Sequence, residues 1–119
     1  MEYNFKKEFT EEQRKQDSQS ILNRYRYIGR IPVICEKDPN TRLNTIGKSK
    51  FLCPNDMNIT QFNFLIRQRL KLAEEVSIYL LINGKKVIGG DETMQYLYQR
   101  FKDNDGFLYI TYSSEIIWG

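Results

Sequence analysis

The chemistry this sequence offers is concentrated at its last residue. It ends Ser113-Ser114-Glu115-Ile116-Ile117-Trp118-Gly119, and a terminal glycine presents its carboxylate with no β-carbon beside it. Roughly one chain in fourteen would end this way by composition alone, so Gly119 is either a stump or a reactive handle. Other routes to chemistry are closed. No histidine occurs among the 119 residues, which removes histidine acid–base catalysis, Cys–His nucleophile pairs and the usual zinc sites. The two cysteines, Cys35 and Cys53, stand in apolar, strand-like runs without metal-ligand spacing. They read as buried thiols of a reduced, cytosolic protein. With no phosphate-cradling glycine loop either, no catalytic residue is assigned and the chain is read as a non-enzyme.

Charge narrows the range of partners. Residues 1–90 carry sixteen Lys and Arg against ten Asp and Glu, whereas residues 91–119 carry two against five. A basic body with an acidic end suits an acidic peptide, phosphates or anionic lipid better than uniform coating of nucleic acid. The aromatic residues sit in apolar strands and not among exposed arginines, which also argues against a nucleic-acid module. No run of eighteen apolar residues occurs, and the opening MEYNFKKEF has no apolar signal segment, so neither a membrane span nor secretion is expected.

The elements that must carry these residues can be read in order. The length suits one domain, and 40% hydrophobic content permits a core. Thr10 opens a capping-box pattern with Gln13, predicting a polar helix to about Tyr25 whose apolar stripe is Ile21, Leu22 and Tyr25. Tyr3, Phe5 and Phe9 suggest a short helix before it. RIPVICEK is a strand made irregular, or placed locally at an edge, by Pro32. DPNTRLNTIGKS is a long turn and KFLCP a second short strand. Asn58 and Gln61 then cap an amphipathic helix through Ile59, Phe62, Leu65, Ile66 and Leu70. VSIYLLI reads as a strand buried on both sides, NGKK as a hairpin turn into a brief VIGG segment. DETMQYLYQRF reads as a second amphipathic helix and FLYITY as a closing strand.

That order lets one mixed sheet wrap a single amphipathic helix. The class is α+β, a ubiquitin-like β-grasp with two additional N-terminal helices. Residues 1–26 form the helical extension, and 27–119 the β-grasp core with its C-terminal tail. A ferredoxin-like arrangement would need a helix between the first two strands, where DPNTRLNTIG has a proline and too few periodic apolar positions.

Several long motifs, in order, resemble one family over essentially the whole chain. FKKEFTEEQRKQDSQSI, RIPVICEK, KFLCPNDMNITQFNFLIRQRL and MQYLYQRFKDNDGFLYITYSSE, followed by an aromatic and Gly, are similar to the ubiquitin-like autophagy modifiers. These are the family of the GABA-receptor-associated protein and microtubule-associated light chain 3. The resemblance implies conjugation of the C-terminal glycine, here Gly119, to phosphatidylethanolamine through adenylate, thioester and amide. Activating and conjugating enzymes do that work, and a cysteine protease matures or delipidates the product. It further implies a cytoplasmic monomer that joins the autophagosomal membrane when lipidated. There it would recruit cargo receptors carrying an aromatic-x-x-aliphatic motif, and it would need no cofactor beyond the covalent lipid. The alternative is a β-grasp adaptor that binds peptides or tubulin and is never conjugated.

The peptide site follows from the same resemblance. Asp17, Ile21, Pro32, Lys50, Leu52 and Phe107 would line a pocket for the motif's aromatic residue. Phe51, Cys53, Pro54, Met57, Phe62 and Leu65 would receive the aliphatic one. Arg30, Lys48, Lys50 and Arg69 would meet acidic residues flanking the motif. Period-2 alternation independently sends Lys50 and Leu52 to one side of their strand and Phe51 and Cys53 to the other, and a free edge there would pair with an extended peptide. Arg67 and Lys71 read as a solvated helix face, and Lys6 and Lys7 as candidates for lipid headgroups.

The chain also departs from the family pattern. Trp118 stands where phenylalanine or tyrosine is usual; capping the core, meeting a membrane and being recognised by the conjugating enzymes are three open readings of it. Two additional residues within RYRYIGR lengthen the link to the first strand, which is expected to bear on where Asp17 and Ile21 lie. Gly119 as the last residue is read as either an encoded or a processed end.

Overall fold

Two capping boxes start the longer helices. In a computed structural model that describes residues 2–83, 85–86 and 90–114, the Thr10 hydroxyl accepts from the Gln13 amide and the Gln13 side chain accepts from the Thr10 amide. Helix α2 (Glu11–Arg24) follows. Asn58 and Gln61 repeat the exchange at both 2.9 Å ahead of α3 (Ile59–Leu70). The short helix α1 (Asn4–Glu8) has no cap of its own. Its first amides, Asn4 and Phe5, instead donate to the Glu36 carboxylate at 2.8 and 3.0 Å. A strand residue thirty-odd positions away thus satisfies the orphan donors of this helix.

The remaining elements are β1 (Arg30–Lys37), β2 (Lys50–Pro54), β3 (Tyr79–Ile82), β4 (Lys85–Lys86), α4 (Met94–Phe101) and β5 (Leu108–Ser113). The sheet order is β2-β1-β5-β3-β4, with β5 parallel to β1 and the other pairs antiparallel. Residues 38–49 hold no helix, which removes the ferredoxin-like arrangement and leaves the β-grasp. Gly119 and Trp118, and residues 87–89 of the expected VIGG segment, lie outside the described residues. Among the described residues, no helix is long and apolar enough to cross a membrane.

Two cores lie on opposite faces of the sheet. One face carries Ile31, Val33, Cys35, Phe51 and Cys53 against Phe62 and Ile66 of α3 and Met94 and Leu97 of α4. The other carries Ile34, Phe107 and Tyr109 against Phe5 of α1 and Ile21 of α2. Since α1 and α2 cover only the centre of that second face, β3 is not buried on both sides as its apolar run suggested. Leu80 and Ile82 are buried, while Tyr79 and Leu81 stay half-exposed.

Pro32 lies inside β1, a strand with neighbours on both sides, and costs no ladder bond. Cys35 donates to Ser49 O and Asn55 to Gly29 O, both at 2.8 Å, so the alternation of an antiparallel ladder turns residues 30, 32 and 34 away from β2. Pro32 therefore faces the β5 side, where pairing begins only at Val33 with Leu108.

Candidate peptide-docking site

The same alternation decides what β2 offers. It is an edge strand, and its register places Leu52 opposite Pro32 and Lys50 opposite Ile34. These are the pairs that do not exchange hydrogen bonds, so the N–H and C=O groups of Lys50 and Leu52 point outward. The Arg30 guanidinium reaches the Leu52 carbonyl at 3.4 Å. Among the described residues the opposite edge, β4, is two lysines long, the kind of short charged strand that discourages pairing.

Side chains alternate as the sequence indicated. Phe51 and Cys53 are buried toward α3, whereas Lys50, Leu52 and Pro54 are half-exposed. Beside the strand is a concavity of about 420 Å³, bounded by Leu52, Pro54, Met57 and Leu65 with Phe51 and Cys53 behind them. Arg30, Lys48, Lys50 and Arg69 stand around it, so one hollow unites five of the six expected aliphatic-pocket residues with all four expected cations. Phe62 is the exception. It is fully buried and meets Phe51 edge-on at 5.6 Å, so it backs the wall without lining it. Arg69 lies over the Phe51 ring, 5.2 Å from its centroid, a cation–π contact that keeps the guanidinium beside the hollow. Burial pushes the Cys53 thiol up to about 12, with Arg30 pulling weakly the other way, so the sulfur contributes apolar surface and no nucleophile.

The expected aromatic pocket is closed here. Ile21 and Phe107 are packed together in the core beneath α2, Pro32 is fully buried, and Leu52 packs against their edge. Over them Lys50 Nζ meets Asp17 Oδ2 at 3.0 Å, each side chain about one-third exposed. Such a solvent-screened pair contributes between nothing and about 1 kcal/mol, so parting it costs little. The other flank of α2 is held far more firmly. Ser18 donates to the Asp105 carbonyl at 2.6 Å, and Arg14 pairs with the Asp105 carboxylate at 3.3 Å. That carboxylate is buried, and it also accepts from the Phe107 amide and the Tyr109 hydroxyl. Gly106 permits this approach: its φ is +90°, and a β-carbon would lie 2.3 Å from Ser18 Oγ. The helix is therefore pinned along the Asp105 side and only lightly latched along the β2 side, a geometry suited to admitting a side chain between α2 and β2. The additional residues of RYRYIGR are taken up in a turn at residues 25–29, and Asp17 and Ile21 still face the sheet.

Some of these anchors gave no local sequence signal. Lys6 pairs with Asp103 at 2.8 Å and lies 4.6 Å from the centre of the Tyr109 ring, so it serves to dock α1. Arg67, expected on a solvated face, instead donates to the carbonyls of Val76, Ala73 and Glu74 and fastens the loop after α3.

A five-stranded mixed sheet wrapped on one amphipathic helix, with two helices added at the N-terminus and β2 as an outward-facing edge, defines a ubiquitin-like β-grasp protein. The chain matches, over residues 13–119, the family model described as autophagy protein Atg8 ubiquitin like. It is 42% identical over 115 residues to Autophagy-related protein 8 of Mycosarcoma maydis, covering 97% of this chain and 95% of that one. It is also 42% identical over 119 residues to the Schizosaccharomyces pombe protein of that name, covering 100% and 96%. The crystal structure of Trypanosoma brucei ATG8 superposes with a TM-score of 0.89 at 32% identity, covering all of both chains. The chain belongs to the Atg8 family of ubiquitin-like autophagy proteins.

Proposed function

We propose that this protein is conjugated through Gly119 to phosphatidylethanolamine and recruits receptors bearing a W-x-x-L-type motif to the autophagosomal membrane. The peptide half rests on one observation: the outward-facing edge of β2 adjoins an apolar hollow ringed by Arg30, Lys48, Lys50 and Arg69. A ligand strand pairing with Lys50 and Leu52 would lower its aliphatic side chain into the hollow. It would part Lys50 from Asp17 to seat the aromatic one against Ile21, Leu52 and Phe107. Burying two such side chains is worth about 3–6 kcal/mol before ordering costs, consistent with micromolar affinity. Lys50→Ala and Leu52→Ala should each weaken a W-x-x-L peptide in calorimetric titration while leaving thermal stability nearly intact. Unchanged titrations for both would remove the site.

The conjugation half is supported by family membership and by the residue type at position 119. Threading a carboxylate into another protein's active site favours a residue without a β-carbon. The modifier supplies no catalytic group; an activating and a conjugating enzyme do, and a cysteine protease is the partner for maturation or release. Incubation with those enzymes, ATP and phosphatidylethanolamine vesicles should give a gel-shifted species that sediments with the vesicles, and Gly119→Ala should lose most of it. Absence of that species from the wild-type protein would leave a cytoplasmic, non-conjugated peptide adaptor.

A further inference from the structure

The turn between α2 and β1 holds two side chains that the site above does not use. Tyr27 and Ile28 are 95% and 65% exposed, the two most exposed large hydrophobic residues among those described. Arg24, Arg26 and Arg30 flank them, and residues 24–30 contain no acid. Single exposed apolar residues are ordinary; an adjacent pair set among three arginines is less so. The turn is also built firmly. Tyr25 O accepts from the amides of Ile28 and Gly29 at 3.1 and 2.8 Å, and Gly29 O accepts from Asn55 at 2.8 Å. Gly29 has φ +64°, and a β-carbon there would lie 2.6 Å from Asn55 Nδ2. Tyr27 and Ile28 are thus presented from a fixed backbone, with part of the ordering cost of binding already met.

Register places this turn at one end of the docking edge. Arg30 lies opposite Pro54, and Gly29 bonds Asn55 just beyond it. The aromatic site lies toward Lys50 and Leu52, and the aliphatic hollow toward Pro54, Met57 and Leu65. A W-x-x-L strand therefore runs in the direction of β2, and the residues after its aliphatic position leave toward Gly29. We propose that the Tyr27–Ile28 turn is a third contact for receptor peptides. It would take an apolar side chain about two to five residues beyond the aliphatic position, at about 3.3 Å per residue, within an acidic segment drawn by Arg24 and Arg26. The inference rests on the peptide reading of β2 above.

A lipid surface would also suit aromatic and basic residues, but the topology disfavours the bilayer to which Gly119 would be joined. Strand β5 is parallel to β1, and Tyr112 pairs with Lys37, so the chain leaves the sheet at the end of β1 remote from Gly29. Eight strand residues separate the two ends, about 26 Å.

Two synthetic peptides of equal charge test the proposal by fluorescence anisotropy: an acidic W-x-x-L peptide ending at the motif, and the same peptide extended by uncharged polar residues and one leucine. The wild-type protein should bind the extended peptide about tenfold more tightly. Tyr27→Ser combined with Ile28→Ser, both at exposed positions, should remove that gain and leave the short peptide's affinity unchanged. Equal binding of the two peptides by the wild type, or a gain that survives the double substitution, overturns the proposal. Failure of the short peptide to bind overturns the β2 reading itself, and this inference with it. Vesicles of phosphatidylcholine and phosphatidylserine form a separate arm. Sedimentation that depends on Tyr27 and Ile28, without a gain from the peptide extension, assigns the turn to lipid and overturns the peptide assignment.

Discussion

Replacing Asp105 with alanine should damage this protein more than its place in an acidic turn suggests. The residue is 1% exposed, and its carboxylate accepts from the Phe107 amide at 2.9 Å, from the Tyr109 hydroxyl and from Arg14 at 3.3 Å. Alanine leaves two buried donors and a mostly buried guanidinium without an acceptor. Removing one partner of a buried, hydrogen-bonded pair costs about 3–5 kcal/mol. In a domain of this size that lowers Tm by roughly 10–20 °C. Asp105→Asn keeps a neutral acceptor for the Phe107 amide, offers the Tyr109 hydroxyl an N–H to accept in place of the second oxygen, and gives up the Arg14 pair. It should lose less than alanine, about 1–3 kcal/mol. Urea unfolding followed by far-ultraviolet circular dichroism measures both. Because Asp17 and Ile21 ride on α2, the alanine variant should also bind a W-x-x-L peptide more weakly. An alanine variant within about 1 kcal/mol of the wild type, below the cost expected of such a network, would refute the reasoning that Asp105 pins α2.

Other groups carry further expected outcomes. Gly106→Ala, forced to φ +90° with its new carbon 2.3 Å from Ser18 Oγ, should cost about 1–3 kcal/mol in urea unfolding. Gly47→Ala, also at positive φ but with open space around it, should cost less. Burial would raise the Asp103 carboxyl, but hydrogen bonds from Lys6 and the Asp105 amide, with the charges of Lys6 and Arg14, hold it below the usual value. Its folded value thus lies below its unfolded one, so the Lys6 tie stabilises fully above the ordinary carboxylate range and is lost as pH falls through the folded value. Asp103→Asn should accordingly flatten the acid limb of a stability–pH curve and leave its shape near neutrality unchanged. Burial pushes the Cys53 thiol up to about 12 and the Cys35 thiol well above its ordinary value. Both should resist a disulfide reagent at about pH 8 in the native protein and react promptly in urea.

What the sequence revealed divides along a physical line. Caps are local: Thr10 with Gln13 and Asn58 with Gln61 lie three residues apart, and both reciprocal pairs are present. Alternation along KFLCP is local too, and it correctly separates Lys50 and Leu52 from Phe51 and Cys53. The docking of the N-terminal helices was not legible, because Lys6 meets Asp103 and Arg14 meets Asp105 across more than ninety residues. In the sequence those aspartates look like ordinary turn formers. Likewise Glu36, in a run of apolar residues, gives no hint that it caps α1. An apolar run such as VSIYLLI reports hydrophobicity but not which face a helix covers, so the half-exposure of Tyr79 and Leu81 emerges only with the sheet order. For Phe62, helical spacing gives the direction of the side chain but not its depth, and Phe51 stands between it and the hollow.

Backbone amide exchange of Lys50 and Leu52, measured with and without a saturating W-x-x-L peptide, tests the open-edge account most directly. Both amides point away from β1, so they should exchange readily in the free protein. Added peptide should slow one or both severalfold or more, while the Phe51 amide, already paired with β1, changes little. A peptide that binds and leaves Lys50 and Leu52 exchanging as before would show that the ligand does not extend the sheet, contradicting the account.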